Sequence, residues 1–171
     1  MFFRRVALVI SINLYLCPMY KKHEVSKLKQ EFWTSFGKYM APVPSAEGEY
    51  INWINYKTGE KFLYFRKDAD RRDAIVAIEC QHPDLQIRKQ HFQLLGQFRE
   101  LLETHAGESW IWEDKHTTAD GKEFSRIFTS ISGVSVLNTA DWPTLISFFK
   151  KNSIAFDAFW AEVKYAFEAL R

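Results

Sequence analysis

The C-terminal segment of the chain carries a long stripe of apolar side chains at helical spacing, and this stripe limits the possible folds more than any other feature. The segment opens at Asp141 with Pro143 in its first turn, so we expect one long helix, with any bend at Asn152 and Ser153. The stripe consists of Leu145, Phe149, Phe156, Trp160, Val163, Phe167 and Leu170. Such a stripe must be covered by other elements. The rest of the chain therefore has to supply the layer against which this helix packs.

Several short segments between residues 49 and 131 have the pattern of β-strands. The stretch EYINWINYKTGEKFLYFRKDA alternates apolar and polar residues on both sides of KTGE, which predicts a β-hairpin. DAIVAIEC is nearly all apolar, so we expect a central third strand that is covered on both faces. ESWIWEDK and EFSRIFTSI, separated by the turn ADGK, predict the fourth and fifth strands.

Two further segments have helical periodicity. The first covers residues 24–40, and the second is expected to begin with Asp84 as its cap and to end at Gly107. Together these elements predict an α+β fold with the order αβββαββα, in which a five-stranded, largely antiparallel sheet is packed by three helices. We assign residues 19–171 to a single α+β domain.

Residues 1–18 form a weak signal-like segment, with Arg4 and Arg5 ahead of a mostly apolar run. The residues before Pro18 are too large for a signal-peptide cleavage site, and the run is shorter than the roughly 20 residues that a membrane span needs. We therefore expect translation to start at Met19, which makes residues 1–18 a spurious leader. An export or anchoring segment and a packed N-terminal element are the alternatives.

Charge and cysteine content limit the compartment and the partners. The formal net charge is +2, and the leader supplies two of those charges, so the remaining chain is electrically balanced and has no general attraction for polyanions. Without Cys17 of the leader, Cys80 is the remaining cysteine and is expected to be a small buried residue. We predict a cytoplasmic protein without a disulfide framework and without a membrane association.

Several short motifs occur in a characteristic order along the chain: EFW at residues 31–33, NW at 52–53, AIE at 77–79, WIWED at 110–114, RI at 126–127 and DWP at 141–143. This series resembles the bacterial family described as domain of unknown function 4268, over roughly residue 19 to the C-terminus. The resemblance brings no established activity and no catalytic residue. It implies a bacterial protein with a loose association with nucleic-acid transactions or defence, since some relatives are attached to a nuclease-like domain.

The element order αβββαβ also matches the core of restriction-like nucleases, which hold a divalent metal with acids on the second and third strands. The weak catalytic candidates are Glu60, at the start of the second strand, and Glu79 and Gln81, at the end of the third. Gln81 stands where such enzymes carry a lysine, so the positive charge beside the attacking water is missing. A metal-dependent nuclease, or its degenerate descendant, is therefore the alternative function.

Aromatic and basic residues provide candidates for binding. Glu79 and Arg126 are expected to pair in an aromatic frame if the sheet brings their strands together, either as a structural ion pair or as a ligand-orienting pair. The aromatic hairpin can stack nucleic-acid bases, although its acids offset its bases. The tryptophans of the fourth strand belong either to the core or to a peptide, ligand or dimer groove. The candidate binding residues are Trp53, Tyr64, Arg66, Trp110, Trp112 and Arg126.

The five histidines show no ligand spacing for a structural metal, and His91 on an apolar helix stripe is expected to be a hydrogen-bonded core residue. We predict no metal site and no cofactor. The sequence favours a non-catalytic binding or interaction module whose partner, a protein or a nucleic acid, it does not identify. A homodimer is possible.

Overall fold

The computed structural model of the chain describes residues 21–170, so the expectation for residues 1–18 lies outside the described part. The described residues form four α-helices, four β-strands and one short 3-10 helix. The elements are α1 (Lys22–Met40), β1 (Leu63–Ala69), β2 (Asp73–Cys80), α2 (Leu85–Gln97), α3 (Arg99–Ala106), β3 (Ile111–Thr117), β4 (Glu123–Ser132), the 3-10 helix (Thr139–Asp141) and α4 (Trp142–Glu168).

The four strands form one antiparallel sheet in the order β1-β2-β4-β3. Side chains alternate between the two faces of a strand. On β2, one face presents residues with almost no exposed surface, which are Ala74, Val76, Ile78 and Cys80. Helices α2 and α4 pack on this face. The opposite face carries Arg66, Ile75 and Glu79, which retain solvent exposure, and none of the described helices covers it. The sheet is therefore covered on one side and open on the other.

Aromatic rings fill the core between the sheet and the helices. Phe156 of α4 stacks on Phe65 of β1 with 4.2 Å between the ring centroids. On the other side of α4, Phe149 contacts Phe32 and Phe36 of α1 at 6.0 and 5.9 Å. The apolar stripe of α4 thus packs against both the sheet and α1, and it is the element around which the other layers are arranged.

The predicted five-stranded sheet is wrong, because residues 51–62 do not form a strand. The Asn52 side chain accepts hydrogen bonds from the backbone N–H groups of Ile54 and Asn55, at 3.1 and 3.0 Å, which closes a turn where a strand was expected. The Trp53 indole donates to the carbonyl oxygen of Val43 at 2.9 Å. The alternating residues of this segment are therefore used to pack a loop, and only the second half of the expected hairpin becomes a strand, β1.

The prediction of three helices is also wrong, while the general α+β class is confirmed. The expected second helix is divided into α2 and α3 at Phe98, whose backbone angles of φ −106° and ψ 18° are not helical. Its predicted start is confirmed, because the Asp84 carboxylate accepts from the N–H groups of Gln86 and Ile87 at 2.7 and 3.1 Å. Gly107 ends α3 with a φ of 69°, a conformation that favours glycine.

Helix α4 is continuous across Asn152 and Ser153, as expected. Both residues are fully buried, and the Asn152 amide donates to the carbonyl oxygen of Phe148 at 2.9 Å within the same helix. The central position of β2 is confirmed, although helices cover only one of its faces. None of the helices between residues 21 and 170 has both the length and the apolar character that a membrane crossing requires.

Candidate functional site

The uncovered side of the sheet, here called the open face, is the surface that gathers the largest share of the predicted site residues. Two rows of side chains cross all four strands on this face. The first row, from β1 to β3, is Tyr64, Glu79, Arg126 and Glu113; the second is Arg66, Ala77, Phe128 and Ile111. Phe124 and His116 extend the first row beyond a β-bulge in β3, with their ring centroids 5.0 Å apart. The face therefore alternates charged and aromatic groups over the whole width of the sheet.

Glu79 lies near the middle of the open face and keeps only 16% of its side chain exposed. The Gln81 amide donates a hydrogen bond to its Oε2 atom, and the Arg66 Nε atom lies 3.9 Å from the same oxygen. Burial raises the pKa of Glu79 above its ordinary value and outweighs the opposing effects of Gln81, Arg66, Lys122 and Arg126. The carboxylate is thus incompletely compensated by its neighbours.

Arg126 stands directly opposite Glu79 in the register of β2 and β4, as the sequence predicted. Its Nε atom, however, donates to the Oε2 atom of Glu113 on β3, so its closest charged partner was not anticipated. Burial by itself would raise the pKa of Glu113, but the hydrogen bond and charge of Arg126, helped by His116, lower it. The guanidinium of Arg126 also lies 4.3 Å from the ring centroid of Phe128.

Arg66 and Tyr64 form a second arginine and ring pair at the β1 edge. The guanidinium carbon of Arg66 lies 4.4 Å from the ring centroid of Tyr64, within cation–π range. The Arg66 side chain is 55% exposed, so its planar group remains accessible. The open face thus contains two guanidinium planes held over aromatic rings, one on an edge strand and one on an inner strand.

Three of the predicted binding residues do not lie on the open face. Trp53 and Trp110 are buried, with 3% and 2% of their surface exposed. Trp112 points to the opposite side of β3, where its ring meets Phe92 of α2 at 5.6 Å and lies 5.5 Å from the guanidinium of Arg99. The structure therefore brings together Tyr64, Arg66 and Arg126 and places the three tryptophans among the helices.

The structure does not bring the two candidate nuclease carboxylates together. Glu60 belongs to the loop before β1 and lines a cavity on the helix side of the sheet with His82, His91 and Leu170. Glu79 lies on the open face, where Gln81 and Lys122 are its neighbours, and Lys122 donates to Gln81 at 2.6 Å. Two carboxylates on opposite sides of a sheet are not able to share a metal ion.

The histidines and the cysteine of the described part have structural surroundings. His91 is buried as predicted, but its Nδ1 atom has no hydrogen-bond partner among residues 21–170. Burial lowers the pKa of His91, and it raises the pKa of the fully buried Cys80 to about 12. Within residues 21–170, no three side chains of histidine, cysteine, aspartate or glutamate are grouped so that they could hold a metal ion.

Two charged side chains that matter for the architecture were not singled out from the sequence. Asp157 of α4 is buried and accepts hydrogen bonds from the Tyr56 hydroxyl at 2.7 Å and from the Ala46 N–H group at 2.6 Å. Lys67 occupies an inward position of β1 and has a buried Nζ atom. The alternation of Phe65, Lys67 and Ala69 was a usable signal for Lys67, whereas nothing local connects Asp157 with Tyr56.

The fold and this face define a class: an α+β protein with one antiparallel four-stranded sheet, helices on one side, and an open side of aromatic and charged residues. Residues 28–164 match the family model described as Domain of unknown function (DUF4268), and the chain belongs to this family. The family resemblance found in the sequence motifs is thereby confirmed. No curated protein and no solved structure gives a significant match to the chain.

Proposed function

We propose that this protein is a non-catalytic binding module that holds single-stranded nucleic acid on the open face of its sheet. The observation that carries the proposal is the pair of arginine planes over aromatic rings, Arg66 over Tyr64 and Arg126 over Phe128, on a sheet face without a covering helix. Unstacked bases bind to aromatic rings and to guanidinium planes, and four-stranded sheets are a known platform for such contacts.

Acidic residues on the same face limit the affinity and the kind of nucleic acid. Glu79 and Glu113 offset the charges of Arg66 and Arg126, so the face has no excess of positive charge that would attract a duplex. Stacking then has to supply a large part of the binding energy, which favours bases that are already unpaired. A phosphate that displaces Glu113 from Arg126 would take over the charge-assisted hydrogen bond.

The nuclease alternative has no observation in its favour, since its two candidate acids lie on opposite sides of the sheet. A protein partner is the competing occupant of the open face. A segment of protein would use the exposed Ile111 at the β3 side of the face and would not need the two guanidinium planes.

The test is fluorescence anisotropy with labelled single-stranded RNA and DNA of about 12 nucleotides, a length within the site size of one small sheet platform. We expect dissociation constants of roughly 1–100 μM at low salt and a weaker interaction with a duplex of the same sequence. Arg66→Ala and Arg126→Ala should each weaken binding by about tenfold, which corresponds to the loss of one good contact.

Arg99→Ala is the matched control. Arg99 also lies over an aromatic ring and next to a glutamate, Glu103, and its side chain is 53% exposed, but it lies on the helix side. This variant should bind like the parent. The proposal is wrong if the parent protein shows no saturable binding, or if Arg99→Ala weakens binding as much as the two variants of the open face.

A further inference from the structure

Lys67 is a lysine at a position of β1 where the pattern requires an apolar residue. Leu63, Phe65 and Ala69 at the other inward positions are all buried, and the partner of Lys67 in the register of β1 and β2 is the fully buried Val76. The lysine therefore points from an edge strand toward the helix side of the sheet. It takes no part in the open face described above.

The Nζ atom of Lys67 is buried and has no hydrogen-bond partner among the described residues. It lies 4.6 Å from the ring centroid of Phe65, which is its nearest recorded electrostatic contact. A buried ammonium without a partner is costly, so the neutral amine is favoured. Burial accordingly lowers the pKa of Lys67 to about 7. Near neutral pH a large fraction of this amine carries a free lone pair, which is not the case for an exposed lysine.

Lys67 also lines a cavity of about 330 Å³ between α1, the loop before β1 and β1 itself. The walls include the rings of Trp33, Tyr56 and Phe65, and the exposed Lys57 stands at the same cavity. This volume lies at the lower end of the range for small-molecule sites, and aromatic walls suit a flat, apolar ligand. The cavity therefore combines an uncharged amine with space for a small aromatic molecule.

We propose that Lys67 is a covalent capture site for aldehydes, with a preference for small aromatic ones. The lone pair of Nζ attacks the carbonyl carbon, a C–N bond forms, and one amine proton passes to the carbonyl oxygen. The resulting carbinolamine loses its hydroxyl group together with the second amine proton as water, which leaves an imine. No oxidant or reductant is required, and the neutral imine is compatible with the apolar walls of Trp33 and Phe65.

The test uses the full chain, benzaldehyde near neutral pH, and cyanoborohydride to reduce any imine to a stable secondary amine that peptide mass spectrometry can locate. Lys67 should be modified at least about tenfold faster than the exposed lysines, because its neutral fraction is far larger. Acetaldehyde should show a smaller preference for Lys67, since it gains little from the aromatic walls.

Lys57→Met is the matched control, because it removes an exposed amine from the same cavity, and it should leave the modification of Lys67 unchanged. Lys67→Met should remove the fast phase. Denaturant should abolish the preference, since the preference depends on burial. Equal labelling of all lysines in the folded protein, or a preference for Lys67 that persists in denaturant, would overturn the proposal.

Discussion

The Tyr56 hydroxyl donates a hydrogen bond of 2.7 Å to the buried carboxylate of Asp157, across 101 residues of sequence. This bond fastens the loop before β1 to the longest helix, and the Trp160 indole adds a second attachment by donating to the carbonyl oxygen of Thr58 at 2.8 Å. A buried carboxylate needs its donors, because an uncompensated charge in the interior is strongly destabilising. The pair therefore determines where a long loop lies.

Replacing Tyr56 with phenylalanine should lower the free energy of unfolding by roughly 1–3 kcal/mol, because Asp157 then loses one of its hydrogen-bond donors. Urea denaturation followed by tryptophan fluorescence measures the change. Tyr165→Phe is the control, since Tyr165 is 60% exposed, and its effect should stay within about 0.5 kcal/mol. Equal effects of the two variants would show that the bond does not stabilise the fold.

Tyr56 should also resist ionisation in alkaline solution. Burial in the first place, and then the hydrogen bond to Asp157, raise the pKa of Tyr56 above its ordinary value. The folded pKa lies above the unfolded one, so this contribution to stability is complete below about pH 10 and is lost as the pH rises beyond it. An absorbance titration of the phenolates should show a tyrosine that ionises only with unfolding, and Tyr56→Phe should remove that step.

Two glutamates of the open face should have opposite pH signatures. Because burial raises the pKa of Glu79, its contribution to stability is present below the ordinary glutamate pKa and is lost as the pH rises through the folded value. For Glu113, the bond from Arg126 overcomes burial and lowers the pKa, so its contribution is present above the ordinary pKa and is lost in acid.

Relative to the parent, Glu79→Gln should therefore gain stability as the pH is raised from about 4 to 7, whereas Glu113→Gln should lose stability over the same interval. Urea denaturation at a series of pH values measures both. The two residues lie on neighbouring sides of Arg126, so each variant serves as the control for the other. Parallel pH trends would contradict the assigned ion pairs.

Lys67→Met should stabilise the protein at neutral pH. The pKa of Lys67 is about 7 in the folded protein and near 10.4 in the unfolded chain, so between these values the unfolded state binds more protons. The stability of the parent should therefore rise with pH over this interval, and that of the variant should not. The variant should be more stable by roughly 2–4 kcal/mol at about pH 7, with a difference that shrinks toward pH 10.

Lys57→Met provides the comparison for an exposed lysine of the same loop and cavity. Its stability should follow that of the parent at every pH. If Lys67→Met also follows the parent, the amine is charged and solvated in the folded protein, and its burial has no energetic consequence.

The salt dependence of nucleic-acid binding should report the two arginines of the open face. The slope of the logarithm of the binding constant against the logarithm of salt concentration should decrease by about 0.7 for Arg66→Ala or Arg126→Ala with a single strand. Tyr64→Phe should leave this slope unchanged, because it retains the ring under Arg66 and removes no charge. An unchanged slope in both arginine variants would mean that neither guanidinium contacts a phosphate.

Several features followed from local patterns alone. The apolar stripe predicted α4 and its continuity through Asn152, the capping side chain predicted the start of α2 at Asp84, and the apolar run of residues 73–80 predicted a central strand. In each case the signal lies within a few residues of the element, because capping and periodicity depend on neighbouring positions.

The failures have a common cause. Alternation in residues 51–54 looked like a strand, but Asn52 closes a local turn and Trp53 is fixed by Val43, so tertiary packing outweighed the strand propensity. The long second helix is interrupted at Phe98, where no glycine or proline marks the break. These outcomes depend on where α4 and the sheet lie, which no local window contains.

The candidate site divides in the same way. The sequence by itself determined the family, the α+β class and the face of each strand on which Tyr64, Arg66 and Arg126 lie, because alternation within a strand is a local property. Only the tertiary structure decided that Glu113 is the partner of Arg126, that Asp157 holds Tyr56, and that the amine of Lys67 is buried. Register and burial depend on contacts between distant segments, and those contacts exist only once the chain has folded.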